Sequence, residues 1–296
     1  MEIIFLGTSC MVPTKERNHQ SIFISYEKEG LLFDCGEGTQ RQLKLAEIKP
    51  SKITKILLSH WHGDHVLGLP GLFQTLNKSD YEKKLEIYGP KGTKKYIKYM
   101  FKAFEFENRI DYSIFEIKKK TIVDTEEFSV LAYPLEHGIP CYGFSIIEKS
   151  KRKIKLAFTK KNYIPDGPLL GALQDNKQIE WNGKIITPAD ATYLVPGRKI
   201  SIINDTILCN NCTLLAKDAD LLISEAVYTS NHEHKASEHM HLTAKQAATL
   251  ASINGAKRLI LTHFSQRYKT TEELLLEAKE IFPQTECAYD LLKLKI

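Results

Sequence analysis

The stretch Ser59-His60-Trp61-His62-Gly63-Asp64-His65 decides how this chain is read. It follows directly on Ile53–Leu58, a short apolar run suited to a buried strand. Three histidines and one aspartate fall between positions 60 and 65. Where a strand passes into a loop, His60 and His62 can point the same way while Asp64 and His65 turn toward a neighbouring position. Imidazole nitrogen and carboxylate oxygen suit zinc, and also manganese or iron. Two such ions about 3.5–4 Å apart clamp the attacking and leaving oxygens of a phosphodiester displacement. A lone histidine is ordinarily a core or surface residue, but four ligand-type side chains spaced H-x-H-x-D-H behind an apolar strand point to metal.

Outward from this stretch the chain alternates between strand and helix patterns. Upstream, Ile3–Leu6, Ser21–Tyr26 and Leu31–Asp34 are rich in β-branched and aromatic residues and are predicted strands. Gly38–Ile48 has helical spacing and stops before Pro50. Downstream, helices are predicted over Leu69–Asn77 and Gly92–Phe104, and strands over Phe128–Pro134 and Gly143–Ile147. The alternation resumes late in the chain with strands Ile200–Asn204, Leu221–Ser224 and Arg258–Thr262 and helices Thr243–Ile253 and Thr271–Ile281.

Residues 148–198 differ from both flanks. They hold Pro165-Asp-Gly-Pro168 and a hairpin signal at Trp181-Asn-Gly183, where Asn-Gly favours a type I′ turn. They also hold Lys149, Lys151, Arg152, Lys153, Lys155, Lys160 and Lys161, with no acid among them. Those seven charges exceed the net charge of the whole chain, +5, so the remainder carries about −2. Concentrated positive charge attracts polyanions, although a basic run taken alone is also compatible with an ordinary solvated surface.

With 296 residues, 43% of them hydrophobic, the chain can bury a large core. No apolar run reaches the roughly 20 residues that span a bilayer. Met1-Glu-Ile-Ile-Phe-Leu-Gly7 reads as a strand without a basic leader or cleavage site, so no signal peptide is expected. Six cysteines, at 10, 35, 141, 209, 212 and 287, are too sparse for a disulfide framework, and a reducing cytoplasm is expected. Cys209-Asn-Asn-Cys212 is a C-x-x-C pair with no second pair nearby and reads as ordinary small residues.

The H-x-H-x-D-H motif resembles the signature of the metallo-β-lactamase superfamily. That resemblance implies an α/β, four-layer αββα sandwich with metals at the sheet edges. It also implies further ligands, and His137, Asp205 and His263 each follow a predicted strand. Carried over by position, His60, His62 and His137 would hold one metal, Asp64, His65 and His263 a second, and Asp205 would bridge them. Two zinc ions per subunit are expected, with manganese or iron as substitutes.

Along nearly its whole length the chain looks like the ribonuclease Z family of tRNA 3′-processing endonucleases. Pro13-Thr-Lys15-Glu-Arg17-Asn18 is similar to that family's P-x-K-x-R-N loop, and Phe33-Asp-Cys-Gly-Glu-Gly-Thr-Gln40 to its first motif, with Asp34 expected to support the ligands. His65-Val-Leu-Gly-Leu-Pro-Gly71 continues the metal motif in the same way. Glu225 and His241 stand at the family's His-Glu-Ala-Thr and His-Ser-Thr positions. Gly167 and Pro168 fall where the family carries its tRNA-gripping arm, so the chain is expected to be one domain, 1–296, with residues 148–198 inserted as that arm.

The resemblance implies a cytoplasmic homodimer that cuts the 3′ trailer from precursor tRNA. It would leave a 3′-hydroxyl on the tRNA and a 5′-phosphate on the trailer. A metal-bridging hydroxide, supported by Asp64, would attack, and His241, oriented by Glu225, would protonate the leaving oxygen. Lys15, Arg17 and Asn18 would contact the RNA near the cut, and the arm, with Gly167 and Pro168, would grip the folded tRNA by backbone and shape. The chain departs from the family at Ile203-Asn204, usually Ser-Gly, at Ser224, usually His, and at Leu242, usually a small hydroxyl residue. Two alternatives remain at this point. One is another phosphodiesterase or esterase of the superfamily acting on a small substrate, for which the arm and Lys15 loop would have no use. The other is an RNA-binding homologue with weakened catalysis.

Overall fold

Alternation within single strands builds the layers. In β1 (Glu2–Gly7), Ile3 and Phe5 turn to one side and Ile4 and Leu6 to the other, and all four are buried. A sheet with both faces buried must be covered on both. One face of this sheet packs on a second sheet, the other on helices. The computed structural model describes residues 1–79, 81–105 and 107–296.

The first sheet also contains β2 (Ser21–Tyr26), β3 (Glu29–Phe33), β4 (Lys55–Leu57), β5 (Leu85–Gly89) and β6 (Tyr112–Glu116). The second holds β7 (Thr121–Asp124), β8 (Phe128–His137) and β9 (Ile139–Glu148). An arm follows, with β10 (Lys151–Ile154), β11 (Ile179–Trp181), β12 (Lys184–Ile186) and β13 (Thr192–Val195). The chain then returns to the second sheet as β14 (Lys199–Ile203), β15 (Leu221–Glu225), β16 (Leu259–Thr262) and β17 (Thr285–Cys287), and closes the first with β18 (Lys293–Lys295). The seven-stranded sheets have the orders β18-β1-β2-β3-β4-β5-β6 and β17-β16-β15-β14-β9-β8-β7.

Phe5, Phe33, Phe128 and Phe144 lie in the core between the sheets. Leu72 and Phe73 of the helix Leu69–Asn77 cover the outside of the first sheet, and Ala247 and Ala251 of the helix Ala244–Ile253 that of the second. This is the four-layer sandwich expected. Among the described residues no helix is long and apolar enough to cross a membrane.

The arm leaves the second sheet after Glu148 and returns at Lys199, and its stalk is the antiparallel pair β10–β13. It carries a small core of its own, with Ile164, Leu170, Leu173, Ile179, Ile186 and Ala191. The hairpin β11–β12 turns at Asn182 and Gly183, both at positive φ (49° and 70°), as a type I′ turn requires.

Several elements differ from their sequence patterns for local reasons. The strand expected to stop at Pro134 runs on to His137. β7 pairs with β8 only as far as Leu131, so Pro134 sits at an open edge where its missing N–H interrupts no ladder on that side. Asp34 has left β3 with φ 56°, and this break turns its carboxylate toward the loop after β4. The edge strands β6, β7 and β18 have mixed burial and no clear apolar period, and were not apparent from pattern.

Candidate metal centre

Strand direction gathers the site. β1 and β3 both pair antiparallel with β2, and β3 is parallel to β4, so all three end at the same edge of the first sheet. β8 and β14 both pair antiparallel with β9, and β14, β15 and β16 are parallel, so these four end together in the second sheet. His60, His62, Asp64 and His65 follow β4. His137 ends β8, Asp205 follows β14, Glu225 ends β15 and His263 follows β16.

Across these edges the seven proposed ligands converge. Asp205 Oδ2 lies 3.7 Å from His60 Nε2, 3.5 Å from His65 Nε2 and 3.7 Å from His137 Nε2. Asp64 Oδ2 lies 3.5 Å from His65 Nε2 and 3.5 Å from His263 Nε2. His62 Nδ1 stands 3.2 Å from His137 Nε2. His60, His62, His137 and Asp205 form one group able to hold a cation, and His65, Asp205 and His263 another. Asp205 is common to both.

The far ring nitrogens of three of these histidines are spoken for. His60 Nδ1 meets Ser59 Oγ at 2.9 Å, His65 Nδ1 meets Asp34 Oδ2 at 2.7 Å, and His137 Nδ1 meets the Met240 carbonyl at 3.0 Å. Asp34 also accepts the Ser59 N–H and hydroxyl. Such partners fix ring orientation and leave the opposite nitrogen to face inward.

That inward face tests whether the residues fit a cation. His60 Nε2, His65 Nε2, both nitrogens of His263 and Asp205 Oδ1 are buried without a hydrogen-bond partner. Each such orphan costs about 1–3 kcal/mol. Five together would consume most of the roughly 5–15 kcal/mol by which a domain is stable. Metal ions would satisfy His60 Nε2, His65 Nε2, Asp205 Oδ1 and one nitrogen of His263, so the donor set fits.

The electrostatics agree. Burial and the neighbouring His65 hold His60 well below the usual imidazole range, in the neutral form that binds metal. Burial opposes charge on His263 as well, but Asp205, Cys10 and Asp64 together outweigh it and raise that ring to about 10, so a proton stands there that a bound cation would displace. Burial would raise Asp64 and Asp205; His65 and His263 overcome it and hold both carboxyls below the ordinary range. The carboxylates thus demand a positive counter-charge.

Beside this cluster Glu225 is fully buried. Its Oε1 accepts the Thr206 N–H at 2.7 Å and faces His241 Nδ1 at 3.2 Å. Burial disfavours a charged His241, but Glu225 prevails and pushes it up to about 12. The pair can therefore keep a proton at the mouth of the cluster. His241 is placed by its N–H to the Ala236 carbonyl and by Thr243, which caps the next helix. His234 and His239 are exposed, and neither joins a metal-binding group among the described residues.

The departures from the family pattern are packed in. Asn204 donates to the Tyr142 carbonyl, Ser224 to the Glu225 carbonyl, and Ile203 and Leu242 are buried in the core.

The substrate-side expectations divide. Lys15, Gly167 and Pro168 are exposed. Arg17 is not available as expected: it is buried, and its Nη2 donates to the carbonyls of Tyr268 (2.7 Å) and Ser265 (3.3 Å). These two bonds tie the Lys15 loop to residues 265–268, so Arg17 clamps that loop instead of presenting a cation. Asn18 is half-buried and donates from its amide to the Glu37 carbonyl.

Two neighbours were missed by sequence reasoning. Cys10 is buried with its sulfur in a group with Asp64 and His263. Asp290 accepts from Thr8, the Asn18 N–H and Gln42, and burial raises its carboxyl to about 6. Neither sits in a motif, and both reach the site only through contacts distant in sequence.

Comparisons with known proteins agree with this arrangement. Residues 14–149 match the metallo-beta-lactamase superfamily. The chain is 38% identical over 297 residues to ribonuclease Z of Methanothermobacter thermautotrophicus, covering 100% of this chain and 97% of that one. It is 40% identical over 302 residues to ribonuclease Z of Bacillus cereus, covering 98% of each. The crystal structure of human tRNase Z, short form, superposes with a TM-score of 0.74 at 31% identity, covering 100% of this chain and 99% of that one. The chain belongs to the ribonuclease Z family of the metallo-β-lactamase superfamily.

Proposed function

We propose that the protein is a metal-dependent endoribonuclease that removes the 3′ trailer from precursor tRNA, leaving a tRNA 3′-hydroxyl and a 5′-phosphate on the trailer. The observation that carries this reading is the full-length likeness to ribonuclease Z, 38–40% identical with the arm included. His60, His62 and His137 would hold one zinc ion and Asp64, His65 and His263 a second, with Asp205 between them; iron(II) accepts the imidazoles equally, and manganese would draw mainly on the carboxylates. Such ions supply an acidified water and neutralise phosphate charge.

The chain's own residues do the rest. Asp34 and Ser59 hold the rings in place. His241 keeps a proton beside the cluster for the leaving 3′ oxygen, and Glu225 orients it and sustains its charge. Lys15, exposed on the loop clamped by Arg17, supplies charge near the cut, with Asn18 shaping that loop. The arm contributes shape and charge at a distance. Lys149 pairs with Asp124 and Lys151 with Glu27, whereas Lys153, Lys160 and Lys161 are exposed with no ion-pair partner among the described residues. Lys153 stays in the stalk, and Lys160 and Lys161 lie further along the arm, which also exposes Gly167 and Pro168. A homodimer in which one subunit's arm grips the tRNA cut by the other is what the resemblance to ribonuclease Z implies. Unpaired cysteines fit the reducing cytoplasm.

The test is incubation with a 3′-extended precursor tRNA, with and without a chelator, mapping the cut and its end groups. Cleavage just after the discriminator base, abolished by the chelator and leaving a 3′-hydroxyl, is expected. Cleavage that survives metal removal, or none at all, would sink the proposal.

A further inference from the structure

The C-x-x-C pair read in the sequence as ordinary small residues is placed differently by the fold. Cys209 and Cys212 sulfurs stand 3.5 Å apart, and both thiols are free. Cys209 caps the helix Asn210–Ala216 and Cys212 lies in its first turn, so the backbone already holds the two side chains side by side. They are unequal. Cys209 is partly exposed, whereas Cys212 is fully buried in the core under the second sheet, where burial pushes its thiol up to about 12.

We propose that Cys209 and Cys212 are a redox-active dithiol that closes to a disulfide by exchange with a low-molecular-weight disulfide such as oxidised glutathione, and that closure shifts the loop carrying Asp205 and Thr206. The accessible Cys209 thiolate attacks one sulfur of the small disulfide and expels the first thiolate. Cys212 then gives up its proton and attacks the mixed disulfide at Cys209, forming the internal S–S bond and releasing the second thiolate. The protein dithiol loses two electrons and two protons, and the small disulfide becomes two thiols.

Closure has a direction. The sulfurs must approach from 3.5 Å to a bond of about 2.05 Å. Cys212 is packed in the core, and Asn211 ties the helix start to β8 through the Pro134 carbonyl at 2.6 Å. The movement therefore falls on Cys209 and the residues before it. Thr206 Oγ1 lies 3.9 Å from Cys209 Sγ, and the Cys212 thiol contacts the Ile207 carbonyl at 3.8 Å. Thr206 is the residue whose N–H holds Glu225, and Glu225 holds His241. A strain introduced at the sulfurs thus reaches the proposed proton donor and Asp205 through one short loop.

The experiment uses the metal-loaded enzyme in buffers of stepped oxidised-to-reduced glutathione ratio, with free thiols trapped by alkylation and located by peptide mass. The expected result is loss of two alkylatable thiols confined to Cys209 and Cys212, with glutathione accumulating on Cys209 in Cys212→Ser and little on Cys212 in Cys209→Ser. Six thiols that all stay alkylatable, or mixed disulfide formed equally at either position, would overturn the site. In the same samples, cleavage of precursor tRNA is expected to fall on the order of tenfold on oxidation, as when an outer partner of a metal site is disturbed, and to recover with a phosphine reductant. Cys209→Ser should cleave like the reduced enzyme in every buffer. A rate unmoved by oxidation would overturn the coupling to the loop. The thiol measurement does not depend on the identity of the RNA substrate, so failure of the dithiol and failure of the nuclease reading remain distinguishable.

Discussion

The metal edge and the arm are built on opposite principles. At the edge, every proposed ligand but the half-buried His62 is buried, and its neighbours are held from several directions: Asp34 alone accepts from the Ser59 N–H, the Ser59 hydroxyl and the His65 ring. In the arm, a six-residue core supports a surface whose free cations are solvated. Chemistry on a phosphodiester needs donors fixed to a fraction of an ångström, which only a packed edge between two sheets supplies. Gripping a folded RNA needs charge and reach, which tolerate slack. The difference predicts that damage at the edge lowers turnover and metal content, whereas damage in the arm lowers affinity for large substrates alone.

The sharpest break of that comparison is Asp205→Ala. Asp205 faces His60, His65 and His137 at once, so its loss should empty much of the site. Cleavage is expected to fall at least about 10³-fold with metal content falling in parallel by elemental analysis. An arm-like outcome, with turnover intact and only KM raised, would contradict the division. Asp34→Asn touches no metal but removes the anionic partner of His65 Nδ1, and metal affinity should drop about 10–100-fold in competition with a chelator.

On the arm side, replacing Lys153, Lys160 and Lys161 by Ala should raise KM for precursor tRNA roughly tenfold at moderate salt. It should also flatten the log–log salt dependence by about two to three units. Hydrolysis of a small phosphodiester should be unchanged; a fall in that rate would mean that arm and edge are coupled.

Arg17→Ala lies between the regions. Its guanidinium holds two carbonyls, so stability should drop by about 1.5–3 kcal/mol, read by denaturant unfolding. If KM for precursor tRNA rose with stability unchanged, Arg17 would be a substrate contact after all.

The smallest effect is expected at the root of the arm. There Glu148 accepts from Arg198 through Nε, Nη2 and the backbone N–H. Burial would raise the Glu148 carboxyl, but Arg198 outweighs it and lowers it. A depressed carboxyl stabilises the fold above its ordinary titration range and loses that contribution as pH falls through the depressed value. Glu148→Gln should therefore cost roughly 1 kcal/mol near neutrality, a modest figure because Arg198 is partly exposed. Wild type and variant should converge in acid; a gap that persisted there would place the effect in packing.

Much of the site was legible in the chain. His60, His62, Asp64 and His65 are neighbours in sequence, so local spacing exposes their shared purpose. His137, Asp205 and His263 are not neighbours, yet each stands at the end of a strand pattern, and the family resemblance picks them out. Cys10 and Asp290 escaped because nothing in their local sequence marks them, and Arg17 was misjudged because a cation in a polar loop reads as exposed. What hides it are carbonyls at Ser265 and Tyr268, far along the chain.

The seven ligand types, their strand-end positions, the basic insertion between 148 and 198 and the Asn-Gly turn are properties of local order, and the amino-acid sequence by itself determined them. Tertiary structure decided the rest, because it alone brings distant atoms within reach. It set two sheet edges against each other so that Asp205 meets four histidines, His60, His65, His137 and His263. It tied His137 to the Met240 carbonyl, buried Arg17, paired off the cations at the base of the arm and packed Cys212 beneath Cys209. The motif with which the reading began, His60 to His65, supplies donors; only the opposing sheet turns them into a cavity whose orphaned nitrogens call for metal.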